Sequence, residues 1–458
     1  MKSTKNKLYT IIFIFIFFNI ELSSQSIQWN PKETGYYQII DNELIFKSTK
    51  GKKDLIILSK KDISPNNGKP LEIKNYSFSK DRQKILIFTN TKKVWRYETK
   101  GDYWVFNLKN KELKKLGNTL PESSLMFAKF SPDGENIAYV SKENSETNTI
   151  RNSSTNANIY IENITKNTIK KITNSNNTKK LINGTFDWAY EEEFDCRDGF
   201  LFNENGTKIA FWQIDANQVR DFLMINNTDS IYSFNIPVEY PKVGEFPSPA
   251  KIGVIDLANE NKITWMKIPG AANNNYLPRM MWGPSSNELY IQQLNRKQNH
   301  SKIFIANAST GSVKLLREEK DDAWVDIRNS WPNNNQAGWK FINGGNSFLY
   351  ITEKDGWSHI YNYNIKTKKE YLVTNGEYDV IQPLGIDEKN GVIYFIASPE
   401  NATQRYLYKT EISGNGKLEK ITPEILKGSN SYQISPNGNY AFHRFSNYFT
   451  KPMNQLIN

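Results

Sequence analysis

Eight times along the chain, a large hydrophobic residue is followed by a short polar turn and then by an alternating apolar strand. The copies begin at Trp29 (WNPKETGYYQI), Phe78 (FSKDRQKILIF), Phe130 (FSPDGENIAYV), Phe202 (FNENGTKIAFW), Trp282 (WGPSSNELYIQ), Phe341 (FINGGNSFLYI), Ile386 (IDEKNGVIYFI) and Ile434 (ISPNGNYAFHR). Pro-Asp-Gly, Glu-Asn-Gly and Pro-Asn-Gly supply residues that tolerate turn dihedrals between paired strands. Further short strands, such as Asn158-Ile-Tyr-Ile-Glu162, fill the intervals. Several short strands in a unit of ~40–50 residues are the signature of a propeller blade. A sandwich or a solenoid also uses short strands and turns, but eight copies are too many for one sandwich and the unit is too long for a β-helix coil. The expected fold is therefore all-β, an eight-bladed β-propeller over residues 26–458. Two intervals, of 72 and 80 residues, are long and must carry insertions. They bracket the most unusual sequence in the chain.

Before the first copy, Lys2, Lys5 and Lys7 precede an apolar run of 13 residues, Leu8 to Ile20, followed by Glu-Leu-Ser-Ser-Gln-Ser. That run is short for a bilayer span of ~20 residues. The order of positive, apolar and small residues predicts a signal peptide over residues 1–25, removed near Ser24 or Gln25 on export to the periplasm or the exterior. An uncleaved N-terminal membrane anchor is the alternative.

Composition closes several routes. One Cys and three His, widely separated, make a Cys-based zinc site or a His-rich metal site an unpromising reading, and no metal or cofactor is expected. The formal charge of +11 comes from Lys spread through the whole chain rather than from a dense basic stripe, which argues for a solvated surface and against nucleic-acid binding.

The segment Phe186-Asp-Trp-Ala-Tyr-Glu-Glu-Glu-Phe-Asp195 breaks this basic background. Glu191, Glu192 and Glu193 adjoin Asp187 and Asp195 and are flanked by Trp188, Tyr190 and Phe194. A run of three Glu is commonly a solvated helical turn. Aromatic flanks, however, desolvate carboxylates, and crowded carboxylates repel one another unless a cation compensates them. A cationic ligand or a neighbouring Arg would do so.

The stretch DWAYEEEF resembles the double-glutamate motif of the dipeptidyl peptidase IV family of prolyl oligopeptidase-type serine peptidases. The likeness continues through CRDGF, KIAFWQID, INNTDSIYSF, YPKVGE, LNRKQNH, EKDGWSHIY, FIASPENATQRYLY and HRFSN, and resembles bacterial, Bacteroidetes-type members. The resemblance implies an eight-bladed propeller that caps an α/β-hydrolase domain. It implies that Glu192 and Glu193 hold the free α-ammonium group of a peptide substrate. It further implies that Arg96, after Trp95 in TKKVWRYETKGDYWVF, contacts a substrate carbonyl; taken alone, Arg96 reads as a strand-edge surface residue. Glu191, Tyr190, Trp188 and Cys196 are the possible pocket neighbours, Cys196 being equally a small packing residue. The insertion from about Phe222 to Pro249 resembles the family's propeller arm, which helps to form a homodimer.

A hydrolase of this class needs a Ser on a G-x-S-x-G elbow, then Asp and His. No G-x-S-x-G occurs in residues 1–458, and His443 lies in the last repeat. The expectation is a propeller without an α/β-hydrolase domain in this chain, inactive alone, that gates and recognises peptides with a free amino terminus for a hydrolase domain or a separate hydrolase chain. The alternative is a free-standing exported propeller that binds peptides or proteins without catalysis.

Overall fold

The structure, a computed structural model, describes residues 27–142, 156–175, 180–327, 331 and 337–458. The predicted signal segment, residues 1–25, lies outside the described residues. Eight antiparallel sheets follow one another along the chain, one for each repeat, and a separate two-stranded hairpin projects from the fourth. Blade 1 spans Gln28–Trp29 to Leu55–Leu58, and blade 2 Asn75–Phe78 to Leu113–Lys115. Blade 3 runs from Met126–Phe130 to Thr168–Lys171, blade 4 from Leu181–Asn183 to Lys262–Trp265, and blade 5 from Asn275–Trp282 to Val313–Lys320. Blades 6 and 7 run from Trp339–Ile342 to Glu370–Leu372 and from Val380–Asp387 to Glu419–Lys420. Blade 8 has three strands among the described residues, Ser429–Ile434, Ala441–Ser446 and Met453–Ile457. No α/β-hydrolase sheet occurs among the described residues, and no described helix is long and apolar enough to cross a membrane.

Each sequence copy is the hairpin between the first two strands of its blade, and one register governs all eight. The leading residue pairs with the residue seven positions later: Trp29 with Tyr36, Phe78 with Ile85, Phe130 with Ile137, Phe202 with Ile209, Trp282 with Leu289, Phe341 with Phe348, Ile386 with Ile393, and Ile434 with Ala441. The polar residue after the leading one closes the turn. Ser79, Ser131 and Ser435 accept through Oγ from the backbone N–H of Lys84, Asn136 and Tyr440 at 2.9–3.0 Å, and Asn203 accepts through Oδ1 from Lys208 N–H at 2.9 Å. The fourth residue past the leading one is left-handed in these turns, Gly134, Gly206 and Gly438 having φ of 71°, 72° and 76°. Blade 2 places Arg82 there at φ 59°. Its guanidinium lies 4.0 Å from the Phe78 ring centre and 4.8 Å from that of Tyr37, contacts that offset the cost of a side chain in this region.

Alternation within the strands puts one apolar row into each space between blades, as in Ile85, Leu86 and Ile87, or Ile137 to Val140. Blade 8 meets blade 1 through a polar clasp over an aromatic patch. Buried Glu33 accepts from Asn437 N–H at 2.5 Å and from Asn439 Nδ2 at 2.6 Å, and Gln433 Nε2 donates to Ile27 O at 2.7 Å. Beneath it, Phe442 packs at 5.0 Å from Trp29 and 4.7 Å from Tyr36.

The two long repeat intervals hold the expected insertions. The first contains the helix α1 (Trp188–Phe194), and the second contains the arm, Asp221–Asn226 paired with Phe234–Glu239.

Candidate functional site

The helix α1 interrupts the innermost strand of blade 4. Leu181–Asn183 pairs with the last three residues of Lys208–Asp215 and Phe200–Phe202 with residues 209–211 toward its other end, so residues 184–199 leave the sheet and return to it. The excursion is pinched at its base. Gly199 N–H donates to Gly184 O, Gly184 N–H to Trp212 O, and Trp212 N–H to Gly199 O, all at 2.9–3.0 Å. A Cβ on Gly199 would lie 2.6 Å from the Gly184 carbonyl carbon, and one on Gly184, at φ 79°, 2.6 Å from Ile159. Only glycines permit this closure.

Asp187 starts the helix. Its Oδ1 accepts from Tyr190 N–H at 3.1 Å and its Oδ2 from Ser248 Oγ at 2.5 Å, so a residue that counts in sequence merely as one more acid is the N-cap. Burial raises its pKa, with the Ser248 and Tyr190 hydrogen bonds pulling the other way. Asp195 ends the helix in the left-handed region at φ 53°. The aromatic flanks face inward: Tyr190 stacks on Phe186 at 5.6 Å and meets Phe194 at 5.5 Å, and its hydroxyl accepts from Leu277 N–H at 3.1 Å. Tyr190 is therefore core rather than pocket wall. Trp188 lies against Tyr240 at the root of the arm, with ring centres 4.3 Å apart.

One buried face thus fixes the directions of the three glutamates. Glu191 is buried, with its Oε1 unpartnered, and burial pushes its pKa up to about 7; Arg197 opposes the rise, while Glu192 and Asp195 add to it. Glu192 is half-buried and pairs through Oε2 with Arg96 Nη2 at 2.9 Å. Glu193 is exposed, and no ion pair to it occurs among the described residues. Arg96 arrives from blade 2, whose second and third strands, Lys84–Val94 and Tyr97–Asn107, are eleven residues each. Trp95 and Arg96 form their two-residue turn, with Trp95 at φ 52°. The guanidinium is three-quarters exposed, so the pair adds little stability but sets a cation against the Glu192 carboxylate at the surface.

The five residues after α1's cap tie it to four blades. Cys196 Sγ donates to Pro278 O in blade 5 at 3.2 Å, and the Arg197 guanidinium lies 3.8 Å from the Tyr97 ring centre in blade 2. Asp198 pairs with Lys129 of blade 3 at 2.6 Å, while Gly199 and Phe200 rejoin blade 4. Cys196 is buried; burial, more than the Asp195 and Asp187 charges, pushes its thiol up to about 11. The stretch CRDGF, residues 196–200, makes all of these contacts. Its spatial reach has no local signal, because each partner lies tens of residues away.

The architecture is that of an eight-bladed β-propeller whose fourth blade carries a helical insertion. Residues 79–452 match the family model for the dipeptidyl peptidase IV (DPP IV) N-terminal region, and the chain belongs to that family. It is 27% identical over 433 residues to dipeptidyl peptidase 4 of Trichophyton rubrum, covering 91% of this chain and 51% of that protein. It is 24% identical over 369 residues to inactive dipeptidyl peptidase 10 of Mus musculus, covering 78% and 44%. Among solved structures, Porphyromonas gingivalis dipeptidyl peptidase 4 superposes with a TM-score of 0.81 at 24% identity, over 94% of this chain and 57% of that one. A putative dipeptidyl aminopeptidase IV from Bacteroides ovatus superposes with a TM-score of 0.70 at 21% identity, over 94% and 58%. The chain spans about half the length of the curated relatives it matches.

Proposed function

We propose that this propeller recognises peptide amino termini and gates access for a serine dipeptidyl peptidase that removes dipeptides, with the reaction itself belonging to a hydrolase domain or hydrolase chain. The observation that supports the reading is the ion pair of Arg96 with Glu192, next in sequence to the exposed Glu193 near the end of α1. A peptide α-ammonium has a pKa near ~8 and is mostly charged at neutral pH. Two carboxylates receive its N–H donors in charge-assisted bonds, and in this reading the Arg96 guanidinium donates to a peptide carbonyl. Fixing the terminus delivers a bond at a set distance along the peptide to the nucleophile, which is catalysis by proximity. The peptidase names of several relatives support the reading, while the inactive mouse relative keeps a binding propeller without catalysis as the second reading.

The purified chain is expected to bind Gly-Pro and to lose most of that binding on N-acetylation of the ligand. Glu192→Gln with Glu193→Gln should weaken Gly-Pro binding by at least roughly tenfold, the equivalent of one charge-assisted bond. Equal affinity for the free and acetylated ligands removes the clamp. The chain alone is expected to leave Gly-Pro-anilide intact; turnover sensitive to a serine reagent would overturn that part. Export, with residues 1–25 as a signal peptide or an N-terminal anchor, belongs to the same proposal.

A further inference from the structure

We propose that Arg279, in the innermost strand of blade 5, is a positioning residue that sets the Glu192–Glu193 end of α1. The proposal rests on the clamp reading above. Arg279 is fully buried, and it forms no ion pair among the described residues. Its Nη1 donates instead to Phe194 O at 2.8 Å, to Pro278 O at 3.0 Å and to Cys196 Sγ at 3.3 Å. Phe194 is the last residue of α1 and follows Glu193 directly, so the guanidinium grips the helix one residue from the exposed carboxylate. A cation at the carbonyl end of a helix also complements the partial negative charge there.

The strand that carries Arg279 is reshaped for this task. Its register with Glu288–Asn295 shifts between Tyr276 and Arg279, an irregularity of the kind that redirects side chains. The backbone around the shift serves the helical excursion. Leu277 N–H donates to the Tyr190 hydroxyl, Leu277 O accepts from Trp212 Nε1 at 2.7 Å, and Pro278 O accepts from Cys196 Sγ. Four consecutive residues of blade 5, Tyr276 to Arg279, therefore touch α1 or its base, Tyr276 through its ring 5.0 Å from Phe194. A helix of seven residues does not hold its own geometry in water. A buried cation is also costly where an apolar side chain would serve packing alone. Orientation of the helix end accounts for a cation in this place.

The test compares the full chain with Arg279→Met, Arg279→Lys and, as a control, Arg317→Met, which removes a buried guanidinium from a separate network with Glu319 and Glu370. Two readouts are taken: hydrogen exchange of the Glu192 to Cys196 amides, and the ratio of affinities for Gly-Pro and N-acetyl-Gly-Pro. R279M is expected to exchange faster over those amides and to lose about tenfold in the ratio, as one misplaced charge-assisted bond requires. R279K should fall between R279M and the wild type, and R317M should lower the melting temperature while leaving both readouts unchanged. Unaltered exchange and ratio in folded R279M overturn the proposal. If R279M does not fold, R279K decides, and wild-type behaviour in both readouts overturns it. Should the wild type bind both ligands alike, the clamp reading falls, and the exchange data still decide whether Arg279 holds the helix end.

Discussion

Three neighbouring glutamates have three different surroundings, and only the backbone turn between them makes the difference. Glu191 points into the protein, Glu192 meets Arg96, and Glu193 faces solvent. Burial raises the folded pKa of Glu191 to about 7, above the unfolded value near ~4.3, so the folded chain keeps this proton while the unfolded chain gives it up. Stability from this group is therefore highest below the unfolded value and falls as pH rises through about 7. Glu191→Gln is expected to stabilise the protein at pH 8 by roughly 2 kcal/mol, with the advantage fading toward pH 4.5. Denaturant melts at the two pH values check this; a variant weaker than wild type at pH 8 contradicts it. The cluster and its compensating cation were legible in the residues, since crowded acids ask for a positive partner. The split of roles was not, because it depends on which side of α1 packs on Tyr276.

At the scale of elements, α1 and the arm are insertions into one regular sheet, and they touch. Trp188 lies on Tyr240, which in turn lies 5.7 Å from Phe222 at the start of the arm. Beyond this root the arm shows Ile231, Tyr232, Val243 and Phe246 to solvent, with Ile231 97% and Tyr232 85% exposed. Apolar side chains exposed in this way on one insertion suit a partner surface, and we propose a second copy of the chain as that partner. Ile231→Lys with Tyr232→Lys is expected to reduce the sedimenting mass from dimer to monomer. A wild-type chain that is monomeric at tens of micromolar would dismiss the idea. The insertions themselves could be read from the repeat intervals, whereas the contact between them could not. It joins residues 52 positions apart through two irregular segments with no shared period.

The whole ring was the most legible level, because one hairpin spacing recurs eight times in the sequence and the structure gives all eight one register. Its closing seam was not, since Glu33 lies in a loop and finds its partners in the last blade. Burial pushes the Glu33 pKa up, but hydrogen bonds from Ser435, Asn439 and Asn437 outweigh it and leave the carboxyl below its ordinary value. The contribution of Glu33 is then present above the unfolded pKa and is lost as pH falls through the folded one. Glu33→Gln should cost about 1–3 kcal/mol at pH 7 and progressively less as the pH is lowered into the acid range, as judged by urea unfolding at each pH. An equal loss at every pH would show that the charge is not what closes the ring. The contact of Trp188 with Tyr240 has a consequence of another kind. A partner that displaced Tyr240 would displace Trp188 of the helix that carries the carboxylates, and thermodynamic linkage makes such an influence mutual. If self-association through the arm changes peptide affinity by some factor, peptide must change the association constant by the same factor, so saturation curves recorded at different chain concentrations would fail to superimpose.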